Sequence, residues 1–411
     1  MAKKTLNMEI IKTIGWLLFY SINLILAFYF LLPVLFLLLH FLKKKDTPKI
    51  FIENKSPESD TSFAAIVTVH EDTRFIPPLI DSFLKQSYKN FTLYVVADNC
   101  DITGLNYSNE HVIILKPVQP LNSKIKSINY ATENFIKPHQ VMIIFDSDNL
   151  IHPDYFYSLN YYFKKGFKVV QTHMLSKDTE SVYAKLDSIG HIYYTFIERQ
   201  IKMELGLHSA ILGLGIALDT ALYHEINYNN VIAGFDKKLQ SQLAIKVNQI
   251  AFAEDAIVYD EKVDDGAALE KQRTRWMYSY FENFQESWKL FKAGIKTMNM
   301  GRLLLGTTML RPPMLVLILL VTIIIVISLF IKPVLCIIWL IILFIFSLNF
   351  ILIIATQSVQ KGMLASIVYI PLVIFRQFRS LLKLNAAKSD FLKTEHTKII
   401  YIDEILNNES T

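Results

Sequence analysis

Asp146-Ser147-Asp148 sets two carboxylates two residues apart. On an extended chain side chains alternate, so both acids would face one side, about 7 Å apart along the backbone. Carboxylates so placed repel each other unless a cation joins them. An all-oxygen donor set suits Mg2+ or Mn2+, ions that keep some waters and complete their shell with substrate phosphates. The chemistry this spacing allows is the holding of a diphosphate. A second cluster, Gln272-Arg273-Thr274-Arg275-Trp276, combines an amide, a guanidinium able to grip phosphate oxygens, and an indole face on which a sugar can stack. Each cluster taken alone also has an ordinary explanation: a solvated acidic turn, and a basic segment beside a membrane.

The hydrophobic pattern indicates which elements must position these residues. Ala64–His70, Thr92–Asp98 and Val141–Asp146 are short, β-branched apolar runs that end in polar or acidic residues, as buried parallel strands do. Between the first two, Pro77–Tyr88 starts with proline and carries Leu79, Ile80, Phe83 and Leu84 at helical spacing, which completes a βαβ unit. Ligands of open α/β sheets bind beyond the carboxyl ends of the strands. Here those ends carry His70-Glu71, Asp98-Asn99 and the Asp146/Asp148 pair, so three strand ends converge on one polar pocket. No glycine-rich dinucleotide fingerprint or P-loop follows the first strand, which disfavours a dinucleotide-binding Rossmann domain and a P-loop NTPase.

Of the 411 residues 52% are hydrophobic and only 19% charged, below the roughly 25% charged of soluble domains. The excess lies in blocks. Ile10–Leu42, broken only by Lys12, exceeds the roughly 20 residues needed to span a bilayer and is closed by Lys43, Lys44 and Lys45. It lacks a short apolar core with a cleavage site and reads as a retained anchor. Met314–Ile331 and Val334–Ala355, joined by Lys332-Pro333, read as a transmembrane hairpin. Met363–Phe375 is too short to span, and Arg376, Arg379 and Lys383 follow on one helical side, which predicts an interfacial amphipathic helix. The positive-inside rule puts the polar block and the tail in the cytoplasm, with Lys3, Lys4 and Lys12 competing. The expected organisation is an anchor over 1–46, a cytosolic domain over 47–311, a transmembrane hairpin over 312–358, and an interfacial helix with a cytosolic tail over 359–411. Two cysteines, Cys100 and Cys336, exclude a disulfide scaffold or multi-cysteine zinc site and suit a reducing compartment. The net charge of +5 sits mostly beside apolar blocks, pointing to membrane lipid as a partner rather than nucleic acid.

From about Phe63 to Tyr280 these features resemble a membrane-bound family 2 glycosyltransferase, of the group containing the cellulose, hyaluronan and poly-N-acetylglucosamine synthases. The resemblance is carried by His70-Glu71, by Asp98 in a VVADNC-type segment, by Lys124 to Asn129 as K-x-x-[AS]-[LI]-N, by the D-x-D pair and by Q-x-x-R-W. It implies an α/β fold, a GT-A-type Rossmann-like mixed sheet with helices on both faces, set between the membrane segments. It further implies that Glu71 and Asp98 bind uridine, that Lys124 supports the nucleotide, and that Asp146 and Asp148 hold the metal and the nucleotide sugar. Gly213-Leu214-Gly215 resembles the small-residue turn beneath the acceptor, and Gln272, Arg275 and Trp276 fall at the acceptor and leaving group.

The family's general base lies in an E-D-x-x-L-x-x-R-L segment that the resemblance places on Phe235–Leu243, making Asp236 the base. Phe235 stands there for the family's Glu and Gln242 for its Arg. The rival pair Glu254-Asp255 is set aside because the apolar run Ala256–Tyr259 after it reads as a strand. The implied activity is inverting, Mg2+- or Mn2+-dependent transfer from a UDP-sugar to a glycan or lipid-linked hydroxyl, at a bacterial-type inner membrane with the catalytic domain cytoplasmic.

Q-x-x-R-W accompanies polymerising members, yet three spans are few for a channel. The product is then a short or lipid-linked glycan, or export needs self-association or a partner. Three alternatives stand beside this reading. One is a nucleotide-sugar-binding scaffold or sensor that no longer turns over, since Phe235 breaks the acidic pair. Another is a lipid-phosphate sugar transferase on the same fold. The last, a transporter, is disfavoured because Lys332 is the one ionisable residue of Met314–Ala355. His111, His152, His173, His191 and His224 lack metal-ligand spacing and read as structural.

Overall fold

A computed structural model describes residues 2–43, 60–105, 107–226, 234–358, 362–382 and 397–409. Lys44, Lys45 and Lys383 lie outside them. The chain runs through helix α1 (Ala2–Leu42), β1 (Phe63–His70), α2 (Ile76–Leu84), β2 (Phe91–Asp98), β3 (Val112–Leu115) and α3 (Lys124–Glu133). β4 (Val141–Asp146), β5 (Leu150–Ile151), α4 (Tyr155–Lys164), β6 (Val169–Ser176) and α5 (Val182–Thr195) follow, then a π-helical turn (Phe196–Gln200) and α6 (Ile201–Glu204). Next come β7 (Ile216–Asp219), α7 (Thr220–His224), α8 (Phe235–Lys246), β8 (Ala251–Asp260), α9 (Gly266–Glu282), α10 (Phe284–Lys296) and α11 (Met300–Leu310). The chain ends with α12 (Met314–Ile331), α13 (Pro333–Gln357), α14 (Met363–Ser366), a 3-10 turn, α15 (Ile370–Leu382) and a helix over Ile402–Glu409. These elements form two units, Met1–Lys45 with Arg311–Leu364, and Asp46–Leu310 with Ala365–Thr411.

The second unit is built on an eight-stranded sheet of order β3-β2-β1-β4-β7-β6-β8-β5. β3, β2, β1 and β4 are parallel; β7 is antiparallel to both β4 and β6, so the sheet is mixed, as the resemblance implied. Strand alternation divides the core. Phe63, Ala65, Val67 and Val69 of β1 pack with Leu79, Ile80 and Phe83 of α2 and Phe156 of α4 on one face. Ala64 and Ile66 pack with Ile128 of α3, Leu239 and Leu243 of α8, Leu290 of α10 and Leu305 of α11 on the other. Each such side chain, fully buried, contributes about 1.5–3 kcal/mol, and the two-sided burial explains why β1, β2 and β4 are apolar throughout. α2 covers the residues at helical spacing but ends before the predicted segment Pro77–Tyr88 does. It stops at Leu84, and Tyr88 beyond it is buried instead, its hydroxyl donating to the Thr61 carbonyl at 2.7 Å.

α15 packs on α9 and sets the Arg376 guanidinium 5.3 Å over the Tyr183 ring of α5. Gly266, first residue of α9, makes room for that arginine; an added Cβ would collide with it. Tyr369, Leu372, Phe375 and Phe378 stay exposed. The terminal helix buries Ile402 and Ile405 against Leu150 and Tyr259.

In the first unit Asn7–Leu42, Met314–Ile331 and Pro333–Gln357 are three helices long and apolar enough to cross a membrane. Leu26 and Phe30 of α1, Leu317, Val321 and Ile324 of α12, and Trp339 and Ile342 of α13 form its core. The Trp339 indole N–H donates to Asn23 Oδ1 at 2.7 Å, which pairs two polar groups that a hydrocarbon surrounding would otherwise leave unsatisfied.

Candidate functional site

β1 and β2 both end in left-handed residues, Glu71 (φ 64°) and Asn99 (φ 54°), which turn the chain sharply at the carboxyl edge of the sheet. Glu71 is exposed there, reached by the Asn99 amide at 3.5 Å. Asp98 is not exposed. Only 2% accessible, its carboxylate accepts the Leu121 N–H at 2.7 Å on Oδ1 and the Asn122 N–H at 2.8 Å on Oδ2, with His70 Nδ1 at 3.1 Å. In this structure Asp98 therefore ties down the loop that delivers α3. Ser123 caps that helix, accepting from the Lys126 N–H, and Lys124 opens it.

Lys124 joins three elements. Its ammonium pairs with the Asp146 carboxylate at the end of β4, donates to the Gly213 carbonyl at 2.9 Å, and lies 5.2 Å from the centre of the Phe235 ring that begins α8. The extended geometry expected for Asp146-Ser147-Asp148 is not what forms. β4 ends at Asp146 and the next two residues turn, because the Asn149 side chain accepts the Asp146 N–H at 2.9 Å, a local bond that competes with continued strand. The two acids consequently differ. Asp146 is 40% exposed, whereas Asp148 is 3% exposed and accepts the Glu261 N–H at 3.2 Å.

The Gly213-Leu214-Gly215 turn is held from β6. Gln171 accepts the Leu212 N–H at 2.7 Å and donates to the Leu214 carbonyl at 3.1 Å, and the Thr172 hydroxyl donates to the Gly215 carbonyl at 2.7 Å. Gly215 has φ 61°, and an added Cβ would strike Thr172 Oγ1, so only glycine fits.

Asp236 sits half-buried in the first turn of α8, and its carboxylate has no hydrogen-bond partner among the described residues. Gly234 before it has φ 67° and lies so near α9 that a Cβ would collide with Ser279 Oγ. That approach sets the start of the helix carrying Asp236 against the Q-x-x-R-W helix. Burial lowers the pKa of Arg275 on α9, and the charges of Asp146 and Asp236 push it back up. Gln272 Oε1 is buried without a partner among the described residues. Trp276 is 38% exposed, with the Arg273 guanidinium 4.2 Å from its ring centre and that arginine paired to Asp187 at 2.5 Å.

The structure thus brings Lys124, Asp146, Gly213, Asp236 and Arg275 to one place at the carboxyl edge of the sheet. Asp98 lies behind them, and Gln272 and Trp276 stand on the same helix as Arg275. Glu254 and Asp255 fall at a register shift of β8, on a strand as their flanking run predicts. Phe235 as a neighbour of Lys124, and Gln171, Thr172 and Asp187 as supports, are not visible in the sequence. They act across long separations and carry no motif.

Among the described residues no group of three or more His, Cys, Asp or Glu gathers as a metal cage. Asp146 with Asp148 offers hard oxygen donors only, a set that fits Mg2+ or Mn2+ completed by substrate phosphates and water, and does not fit a closed zinc site.

Residues 60–279 match the model of the family described as Glycosyltransferase like family 2. Among solved structures the chain is similar to the mannosyltransferase PcManGT from Pyrobaculum calidifontis, described in complex with GDP-Man and Mn2+. The identity is 11% and the TM-score 0.53, over 90% of this chain and 100% of that one. It is also similar to S. aureus TarS 1-349, at 15% identity and a TM-score of 0.42, over 82% of this chain and 93% of that one. At 11% identity the likeness to the mannosyltransferase is one of fold. No curated protein matches the chain.

Proposed function

The chain belongs to glycosyltransferase-like family 2, and from that premise we propose that it moves a sugar from a UDP-sugar to a hydroxyl of a glycan or lipid-linked acceptor, with inversion at the anomeric carbon. The observation that carries this reading is Lys124, which joins Asp146 at the end of β4 to the Gly213 carbonyl and to Phe235, the neighbour of Asp236, with the charges of both acids acting on Arg275. A donor-side acid, a candidate base and a cation for the leaving group meet there. Asp236, as a carboxylate near a helix N-terminus, takes the proton of the acceptor hydroxyl while the hydroxyl oxygen attacks the anomeric carbon. The bond from that carbon to the diphosphate breaks on the opposite side, and its electron pair leaves with UDP. Holding acceptor and donor in line lowers the barrier by removing the need for a chance encounter. Arg275 and Lys124 are placed to offset the charge that grows on the diphosphate. Asp146 and Asp148 would hold Mg2+ or Mn2+, which when bound neutralises the same charge. Trp276 and the unpartnered Gln272 amide are the parts left for the acceptor.

The three apolar helices suit an integral membrane protein, with the catalytic unit on the cytosolic side of a bacterial-type inner membrane and α15 lying in the interface. Purified full-length protein supplied with a panel of UDP-sugars, GDP-mannose included because the similar mannosyltransferase is described with it, should release nucleotide with one donor. Chelation should abolish the release, and the anomeric proton of the product should show the configuration opposite to the donor's. Nucleotide binding without turnover of any donor would leave a binding scaffold instead.

A further inference from the structure

Resting on that reading of the site, we propose that Lys124 is a built-in counter-ion of Asp146, held by Phe235 and Gly213, which makes binding of the divalent cation and of the nucleotide diphosphate interdependent. The ammonium occupies the more open of the two acids, Asp146, and the pair is only partly screened, the side chains being 24% and 40% exposed. While it stays there, the charge offered to an arriving cation is reduced to little more than that of one carboxylate. A diphosphate supplies further anionic oxygens that compete for Lys124. Drawing the ammonium onto phosphate uncovers Asp146, and the cation then finds both acids and the phosphate oxygens together.

Phe235 tunes this balance. The ring face attracts an ammonium yet accepts no strong hydrogen bond, so Lys124 keeps its hydrogen bonds on Asp146 and the Gly213 carbonyl. The ring also lies against Gly213, where an added Cβ would stand at an ordinary contact distance of 3.6 Å from it. A carboxylate at position 235 would instead compete for the ammonium. The departure from the family pattern thus acquires a role: it leaves Lys124 committed to Asp146 until a phosphate arrives.

The test is Mn2+ binding to the full-length chain in lipid nanodiscs, read from the free-ion paramagnetic resonance signal with and without UDP. In the wild type UDP should tighten Mn2+ by about tenfold or more, the scale of a charge-assisted hydrogen bond exchanged between partners. Lys124→Met should tighten Mn2+ about tenfold without UDP and shrink the UDP effect, while Lys124→Arg, which keeps the charge, should stay near wild type. Phe235→Leu should shift the UDP-free affinity in the same direction by about threefold. UDP-free affinity that is unchanged or weaker in both Lys124→Met and Phe235→Leu would overturn the proposal. Asp148→Asn separates this from the reading beneath it. Loss of Mn2+ binding in the presence of UDP leaves the metal site standing whatever Lys124 does, and wild-type binding in that variant would remove the metal site itself.

Discussion

The proposed donor and acceptor sides of the site are built differently. On the donor side each charged group is already engaged: Asp98 by two backbone N–H groups and His70, Asp148 by the Glu261 N–H, Lys124 by Asp146 and Gly213. On the acceptor side Asp236 has no hydrogen-bond partner among the described residues, Gln272 Oε1 is unsatisfied, and Trp276 leaves part of its indole open. A nucleotide diphosphate varies little from donor to donor, so a rigid site suits it. An acceptor hydroxyl must come and go, and the groups proposed to meet it are held by helix position rather than by side-chain bonds among the described residues. On that side α8 packs on α10 and brings Gly234 close against the Ser279 side chain of α9.

Changes on the two sides should then fail in different ways. The largest effect belongs to Asp236→Asn, which should lower turnover by about 10^3-fold while UDP affinity, measured by calorimetry, stays within a few-fold. Loss of nucleotide binding in that variant would erase the division. Gly234→Ala should cost about 10^2-fold in turnover, because a Cβ forces α8 away from α9 and a shift of about 1 Å at the base is enough for that. Adding Ser279→Gly should recover part of the loss, and no recovery would mean that backbone strain at φ 67° rather than the collision is at fault.

Asp98→Asn replaces an acceptor oxygen by an N–H facing another N–H. It should raise the Kd for UDP about tenfold and destabilise the fold by about 1–3 kcal/mol in chemical denaturation. Trp276→Ala is the mildest, a few-fold rise in acceptor KM with donor KM unchanged, on the scale of one lost stacking contact. A donor-side effect of Trp276 larger than that of Asp98 would reverse the comparison.

The donor side was also the more legible in the sequence. Parallel strands buried on both faces write themselves as apolar runs, and the acids that close β1, β2 and β4 announce the edge where a ligand binds. The membrane helices were legible for the same reason, since bilayer length and hydropathy leave few alternatives. The turn at Asp146–Asp148 was not, because the Asn149 side chain captures a backbone N–H that a strand would have used. Nor was Asp98's burial, which depends on backbone groups of Leu121 and Asn122 that no side-chain pattern reveals. On the acceptor side Gln272, Arg275 and Trp276 were read from their residue types, while Asp236 and the Gly213–Gly215 turn were placed by resemblance. Its geometry rests on α8 meeting α9 and on β6 bracing the glycine turn through Gln171 and Thr172, contacts between segments far apart in the chain.

The proposal places a divalent ion and a nucleotide diphosphate at the tips of β1, β2 and β4 with Asp236 facing the anomeric position. An anomalous-scattering map of the full-length protein crystallised with UDP and Mn2+ tests it most directly. One manganese peak at coordination distance from Asp148 or Asp146, with the diphosphate beside Arg275, is expected. A peak bound by other residues, or UDP lying away from Arg275, would contradict it.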